Sequence, residues 1–341
     1  MLRVLGILVA VLFAVATAVV TWPAFFRVDQ TFPIAQVIAF RAPIAIAFAA
    51  LAVVFLLLAI ARPVRGFALM MALVAIVGTA GNGATVVMRG TGTTELPAET
   101  ATSVRVMTWN TAGEATDPAT VAQTAVAMSA DIVSLPETTI ETGEQIAIAM
   151  RELGSPMWAH HVEFDVGVNT WDARSTTLLI SPALGDYAVI ESSQDGSSNT
   201  AVLPSAVAMP VNGDGPIVVA VHAVAPRQDD MDHWREDLRW LADQCATDNV
   251  IMAGDFNATL DHMSRLGEDG GTLGRCHDAA SETGNGGVGT WTTALPALLG
   301  APIDHVLATP GWKPTGSIVL RSLDASGSDH RPLVVQLEAT G

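Results

Sequence analysis

The sequence predicts two unlike parts: a membrane region of three helices, then a layered sandwich of mixed strands and helices, α+β or α/β in class. Half of the 341 residues are hydrophobic, and they are unevenly spread. Charge is absent from Val4 to Thr21, from Ala42 to Ala61 and from Gly66 to Met88. Each run is close to the ~20 apolar residues that cross a bilayer. Farther on, short apolar runs bounded by turn residues mix with amphipathic helical patterns without strict alternation, which argues for packed layers rather than a repeating βα unit.

Taken in order, the first apolar run admits two readings. It is a span, or, with Arg3 ahead of it and the small residues of AVATA within it, a cleaved secretory signal. Apolar residues continue past it and two further runs follow, so a span is expected. Basic residues divide evenly between the two faces: Arg3, Arg62 and Arg65 against Arg27, Arg41 and Arg89. The crowding of Arg62 and Arg65 into one short loop favours their placement in the cytoplasm. Three spans then put everything after Met88 outside it. Residues 1–89 form the membrane domain, and 90–102, small and polar with one proline, read as a flexible linker. Residues 103–341 are left for the folded domain.

That domain is strongly acidic. Of the chain's 17 basic and 34 acidic residues, six Arg and Asp29 precede residue 90, leaving 11 against 33. So negative a surface repels polyanions, which counts against nucleic acid as a tight partner. The two cysteines, Cys245 and Cys276, form a disulfide if the domain is exported and are otherwise two buried thiols; neither has a second ligand at zinc-site spacing.

Strands are expected at Val104–Thr108, Ile132–Leu135, Thr176–Ser181, Ala188–Glu191, Ala206–Val211, Ile217–His222, Val250–Ala253, His305–Ala308 and Leu333–Leu337. Helices are expected at Ala119–Met128, Thr142–Leu153 and Met231–Cys245, the last with Trp234, Leu238 and Leu241 on one face.

Polar residues recur where these strands end. VRVMTWN ends at Asn110, DIVSLPE at Glu137 and IVVAVH at His222. IMAGDFN carries Asp255 and Asn257, APIDHV carries Asp304, and GSDHRPL carries Asp329 and His330. Each alone is a turn acid, an Asx turn or a packed histidine. Together they suggest one shared edge where strands converge on a site. The residue types suit a hard cation and a phosphorus centre. Glu137 and Asp329, with Asn110, offer oxygens to Mg²⁺ or Mn²⁺. Asp255 is placed to orient or deprotonate a water, and Asn257 to donate to a phosphate oxygen. His222 and His330 are further donors, with Asp304 fixing the His330 tautomer and favouring its cation. Asp261 and His262, just downstream, answer to no partner motif and read as loop residues.

The series WN, PE, a strand ending in His, GDFN, IDHV and SDHRPL, spread over Val104 to Leu337, resembles the endonuclease/exonuclease/phosphatase superfamily. The resemblance implies a four-layered αββα sandwich, a site at one end of two packed sheets, and a divalent cation, usually Mg²⁺. Residue by residue it carries the roles above onto Asn110, Glu137, His222, Asp255, Asn257, Asp304, Asp329 and His330. Two positions depart from the pattern: Pro136 stands where many members have glutamine, and Ala112 where some nucleases have an acid. The latter removes one possible metal contact. Basic strips for gripping a duplex are not evident, although Arg174, Arg227 and Arg331 could serve a small phosphate. The three-span architecture resembles bacterial membrane-anchored members, including those associated with glycopeptide resistance.

The implied function is a membrane-anchored, metal-dependent phosphoesterase on the extracytoplasmic side, with a lipid-linked or cell-envelope phosphate as substrate. The alternatives are an extracellular nuclease and a non-catalytic envelope-binding or resistance module. Trp158, Trp171, Trp291 and Trp312 are packing residues or, in the membrane reading, interface anchors. Oligomeric state is not legible.

Overall fold

A computed structural model describes residues 2–93, 95–164, 172–190 and 198–340. Trp171 and Glu191 lie outside the described residues. Among the described residues, three helices are long and apolar enough to cross a membrane: α1 (Leu2–Thr21), α3 (Arg41–Leu58) and α4 (Arg65–Arg89). Between α1 and α3 runs a short connection with one small helix, α2 (Ile34–Ile38). The α3–α4 turn at Arg62–Val64 lies at one end of the bundle. The C-terminus of α1 and the N-terminus of α3 meet at the other, where Arg41 Nη1 donates to Val20 O (2.8 Å) and Thr21 O (3.2 Å).

The folded domain is an α+β sandwich of two six-stranded sheets. The first has the order β11 (Trp312–Val319), β12 (Leu333–Ala339), β1 (Ser103–Thr108), β2 (Ile132–Pro136), β4 (Ser175–Ile180), β3 (Trp158–Glu163). The second runs β5 (Tyr187–Val189), β6 (Ala206–Pro210), β7 (Ile217–His222), β8 (Val250–Asp255), β10 (Asp304–Ala308), β9 (His277–Asp278). Alternation along each strand builds the layers. Val104, Val106, Ile132, Val218, Ala220, Ile251, Ala253 and Val306 point between the sheets into one core. Their sequence neighbours point outward: Met107, Val133 and Leu135 under α5 (Pro118–Ala127) and α6 (Ile140–Glu152), and Val219, Val221, Val250 and Met252 under α7 (Met231–Gln244). Four layers, αββα, result.

All nine expected strands and the three expected helices of the domain are present, with ends shifted by at most two residues. Three strands escape the pattern. In β11, WKPTGSIV, Pro314 and Gly316 interrupt the alternation; the register slips between them, which an edge strand tolerates. The edge strand β3 is only partly buried on either face, and β9 is two residues long. Cys245 and Cys276 are joined in a disulfide, tying the end of α7 to the segment before β9.

The segment after α4 does not hang free. Gly92 N donates to Gly284 O (2.9 Å) and Gly287 N to Gly90 O (3.0 Å), while Arg105 Nη2 and Gln336 Nε2 donate to Pro97 O and Ala98 O. Where the sequence suggested a flexible tether, main-chain and side-chain hydrogen bonds lay the chain along the domain.

Candidate active site

Period-two alternation aims four of the expected site residues at one place. Asn110 continues the inward series of Val104 and Val106 in β1. His222 ends that of Val218 and Ala220 in β7, and Asp255 that of Ile251 and Ala253 in β8. Asp304 opens the inward series of Val306 and Ala308 in β10. Strand register then sets them side by side, His222 opposite Asp255 and Asp255 opposite Asp304. Glu137 has the wrong parity for β2. Its φ of 57° breaks the alternation, and its carboxylate meets Asn110 at the same edge.

The resulting contacts are short. Asn110 Nδ2 donates to Glu137 Oε1 (3.0 Å) and to Asp255 Oδ2 (3.2 Å), so one amide joins the two sheets. Asp255 Oδ1 accepts from Asn257 N (2.8 Å), the main-chain bond of an Asx turn. The turn and the site acid are therefore the same feature. Asn257, at φ 45°, also donates through Nδ2 to Ala223 O (2.9 Å) and Asp255 Oδ2 (3.3 Å). To reach a phosphate oxygen it must give up the longer of these. His330 Nδ1 pairs with Asp304 Oδ2 (2.8 Å), and its Nε2 lies 3.8 Å from Asp255 Oδ2 and 3.9 Å from Asp329 Oδ1. Asp329 accepts from Trp291 Nε1 at 2.8 Å. His222 Nε2 lies 3.7 Å from Glu137 Oε1.

Electrostatics divide the histidines. Burial, then the neighbouring His330, lowers His222 to about 3, so it enters as a neutral ring. Burial alone would lower His330 too, but Asp304 and then Asp255 overcome it and hold the ring cationic well above the usual imidazole range. Asp255 is raised, by burial and then by Asp304, against the pull of His330. Among the described residues, neither ring nitrogen of His222 nor Asp304 Oδ1 has a hydrogen-bond partner, although all are buried. Buried polar atoms left this way mark a place for a further group.

Asp255, Asp304 and His330 bring one ligand atom each within 4.8 Å of one another and could hold a metal ion. Glu137 shares the Asn110 amide with Asp255 and, with its side chain 28% exposed, offers a further carboxylate reachable from solvent. The donor set at this edge, carboxylates and an amide with histidine beside them, fits a divalent cation.

Several supporting residues were not legible. Ser328 Oγ donates to Asn110 O (2.6 Å) and accepts from His330 N (2.9 Å), and Trp109 Nε1 donates to His330 O (3.0 Å). Both belong to the quoted motifs, at the positions beside the residues singled out. Thr290 Oγ1 accepts from Asp304 N (3.1 Å) with no local signal. One expectation is corrected. Arg331 is fully buried; it pairs with Asp324 and donates to Gly289 O, Thr292 O and Leu295 O, so it clamps a loop and cannot serve a phosphate.

The profile of the Endonuclease/Exonuclease/phosphatase family matches residues 107–330, from β1 to His330. The chain belongs to this family. Members of the endonuclease/exonuclease/phosphatase family are phosphoester hydrolases that generally depend on a divalent metal. The fold is shared with solved structures of low identity. An endonuclease/exonuclease/phosphatase from Beutenbergia cavernae is 22% identical at TM-score 0.54, covering 70% of this chain and 72% of that one. Humanized D. rerio TDP2 is 16% identical at 0.52, covering 70% and 99%. A family protein from Leptotrichia buccalis is 12% identical at 0.52, covering 69% and 99%. No curated protein matches the sequence.

Proposed function

We propose that this family member is a membrane-anchored, divalent-metal-dependent phosphoesterase whose catalytic domain lies outside the cytoplasm and whose substrate is a lipid-linked or cell-envelope phosphoester. The observation that carries the reading is the convergence of Asn110, Glu137, His222, Asp255, Asn257, Asp304, Asp329 and His330 on one edge of the sandwich.

Glu137, with Asn110 and Asp329, would hold the cation, Mg²⁺ or Mn²⁺. We favour this set over Asp255, Asp304 and His330 because Asp304 and Asp255 hold His330 cationic, so that its Nε2 carries a proton rather than a free lone pair, and a hard cation prefers oxygen ligands. When bound, the ion neutralises phosphate charge. The chain's own residues do the rest. Asp255, raised in proton affinity and fixed by the Asn110 and Asn257 donors, orients a water and takes its proton. His330, held cationic and aligned by Asp304, donates to a phosphate oxygen, as does His222 through its unpartnered ring. Asn257 adds a third donor as charge builds on the phosphate.

The orientation draws support from the crowding of Arg62 and Arg65 into the short turn at the far end of the bundle. The disulfide agrees with an oxidising compartment. A reporter fused after Gly341 is expected to be active outside the cytoplasm; cytoplasmic labelling would overturn the orientation. For the activity, the full chain in nanodiscs with Mg²⁺ or Mn²⁺ is assayed against lipid phosphates, small phosphodiesters and plasmid DNA. Turnover of lipid phosphates above DNA is expected. DNA cleavage alone would promote the nuclease reading, and no turnover of any ester would favour a binding module.

A further inference from the structure

The loop between β9 and β10 touches the membrane helices at one point and the site at another. At the first, Leu298 shares a cavity lining with Ala42 and Val86, both inside the spanning segments, and with Arg41 and Arg89. At the second, Trp291 Nε1 holds Asp329, and Trp291 bridges to His330 through the main chain. Phe40, the residue before the second span, packs on Trp291 with ring centroids 6.1 Å apart. Two contacts, Phe40 to Trp291 and Trp291 to Asp329, therefore separate the start of a span from a site carboxylate. Arg331 holds the loop between these points by donating to Gly289 O, Thr292 O and Leu295 O.

What the loop presents is apolar. Leu295 and Leu298 stay 37% and 38% exposed, although neighbouring Ala297 and Ala301 are buried. The connection after α1 adds Trp22, Phe25, Phe26 and Phe32, all exposed, at the same end of the bundle. A tryptophan at a span's end marks the headgroup level, and the three phenylalanines beside Trp22 add apolar surface there. The loop meets the same end of the bundle through Phe40 and Leu298.

We propose that residues 291–300 form a lip set into the headgroup layer, and that Leu295 and Leu298 receive the hydrocarbon chain of a bilayer-resident phosphoester whose phosphate enters the adjoining site. This rests on the phosphoesterase reading above. It narrows the substrate to an ester carrying a long apolar chain, presented from the bilayer rather than from solution. The domain is pinned to the helices through Asp261, so the lip has a fixed height over the membrane.

Two measurements on the full chain in nanodiscs test it. Nitroxide labels at Leu295→Cys and Leu298→Cys, with Val211→Cys at the far end of β6 as control, are read for collision with oxygen and with a water-soluble nickel chelate. The lip labels are expected to favour oxygen and the control nickel; lip labels as open to nickel as the control overturn the lip. The second uses two esters with one reaction centre, hexadecyl p-nitrophenyl phosphate in the bilayer and methyl p-nitrophenyl phosphate in water. Leu295→Ser with Leu298→Ser should lower kcat/KM for the hexadecyl ester by about 10-fold, the scale of losing two partial leucine contacts, and leave the methyl ester unchanged. Equal loss on both esters, or on neither, overturns the chain-binding role. If wild type turns over neither ester, the chain-binding role fails and the labels alone decide whether the loop is a membrane contact; the phosphoesterase reading falls with it only when lipid phosphates are left intact as well.

Discussion

Asp255 and Asp261 are six residues apart, both buried, and opposite in character. Burial pushes both carboxyls up. For Asp261 that push is overcome by Arg89 and then by Arg41, which grip it in two bidentate pairs at 2.7 to 2.9 Å and hold it well below the usual carboxylate range. Asp255 meets only amides and a histidine 3.8 Å away, with Asp304 beside it, and its proton affinity stays raised. A carboxylate saturated by guanidinium is glue; one left with weaker donors remains available for proton transfer. The same short stretch, GDFNATLDH, supplies the proposed base and the carboxylate that bolts the domain to the apolar helices.

Substitutions can break that contrast, beginning with the largest effect. Asp255→Asn should lower kcat by about 10³-fold or more, the range expected for a general base, with the thermal midpoint unchanged or raised because a buried charge is relieved. Asp261→Ala should do the reverse. It leaves Arg41 and Arg89 unpaired and should cost about 3–5 kcal/mol at the junction, read as earlier proteolysis between residues 90 and 102, while turnover of a small soluble ester persists. If Asp261→Ala instead abolished turnover of the soluble ester in folded protein, the division between glue and chemistry would collapse. Asn257→Ala should depress turnover by roughly 10²-fold, the effect of one lost preorganised donor; near-normal turnover would remove it from the site.

A smaller effect sharpens the comparison through pH. The folded-state pKa of His330 is raised above its ordinary value of about 6.5. Its pairing with Asp304 therefore stabilises fully below that pH and loses its contribution as pH rises through the folded-state value. The stability gap between wild type and Asp304→Asn should be widest near neutral or acid pH and shrink on going alkaline. A gap that widened with pH would mean His330 is neutral in the fold.

The two acids also show what sequence can and cannot convey. Asp255 was legible because strand alternation and the order of motifs are local: Asn110, His222, Asp255 and Asp304 each end or begin an inward-facing series. Glu137 was legible only from its motif, since its parity is wrong until a left-handed residue corrects it. Asp261 was misread as a loop residue because its partners lie 172 and 220 positions away, and nothing near it signals them. His262 was misread with it; its ring closes a capping box with Thr259 and reaches Ala35 O at 3.0 Å. The linker misled for the same reason, its polar composition being silent about the carbonyls and amides it would meet. Of the tryptophans, Trp291 lies at the site, Trp158 is exposed on β3, and Trp312 donates to Asn249.

The central claim is that the edge around Asp255 hydrolyses phosphoesters with a divalent ion. It is tested most directly by ester turnover of the full chain in nanodiscs, before and after chelation and re-addition of Mg²⁺ or Mn²⁺, in wild type and Asp255→Asn. The account predicts turnover that chelation abolishes and the metal restores in wild type alone. Turnover indifferent to chelation, or undiminished in Asp255→Asn, would contradict it.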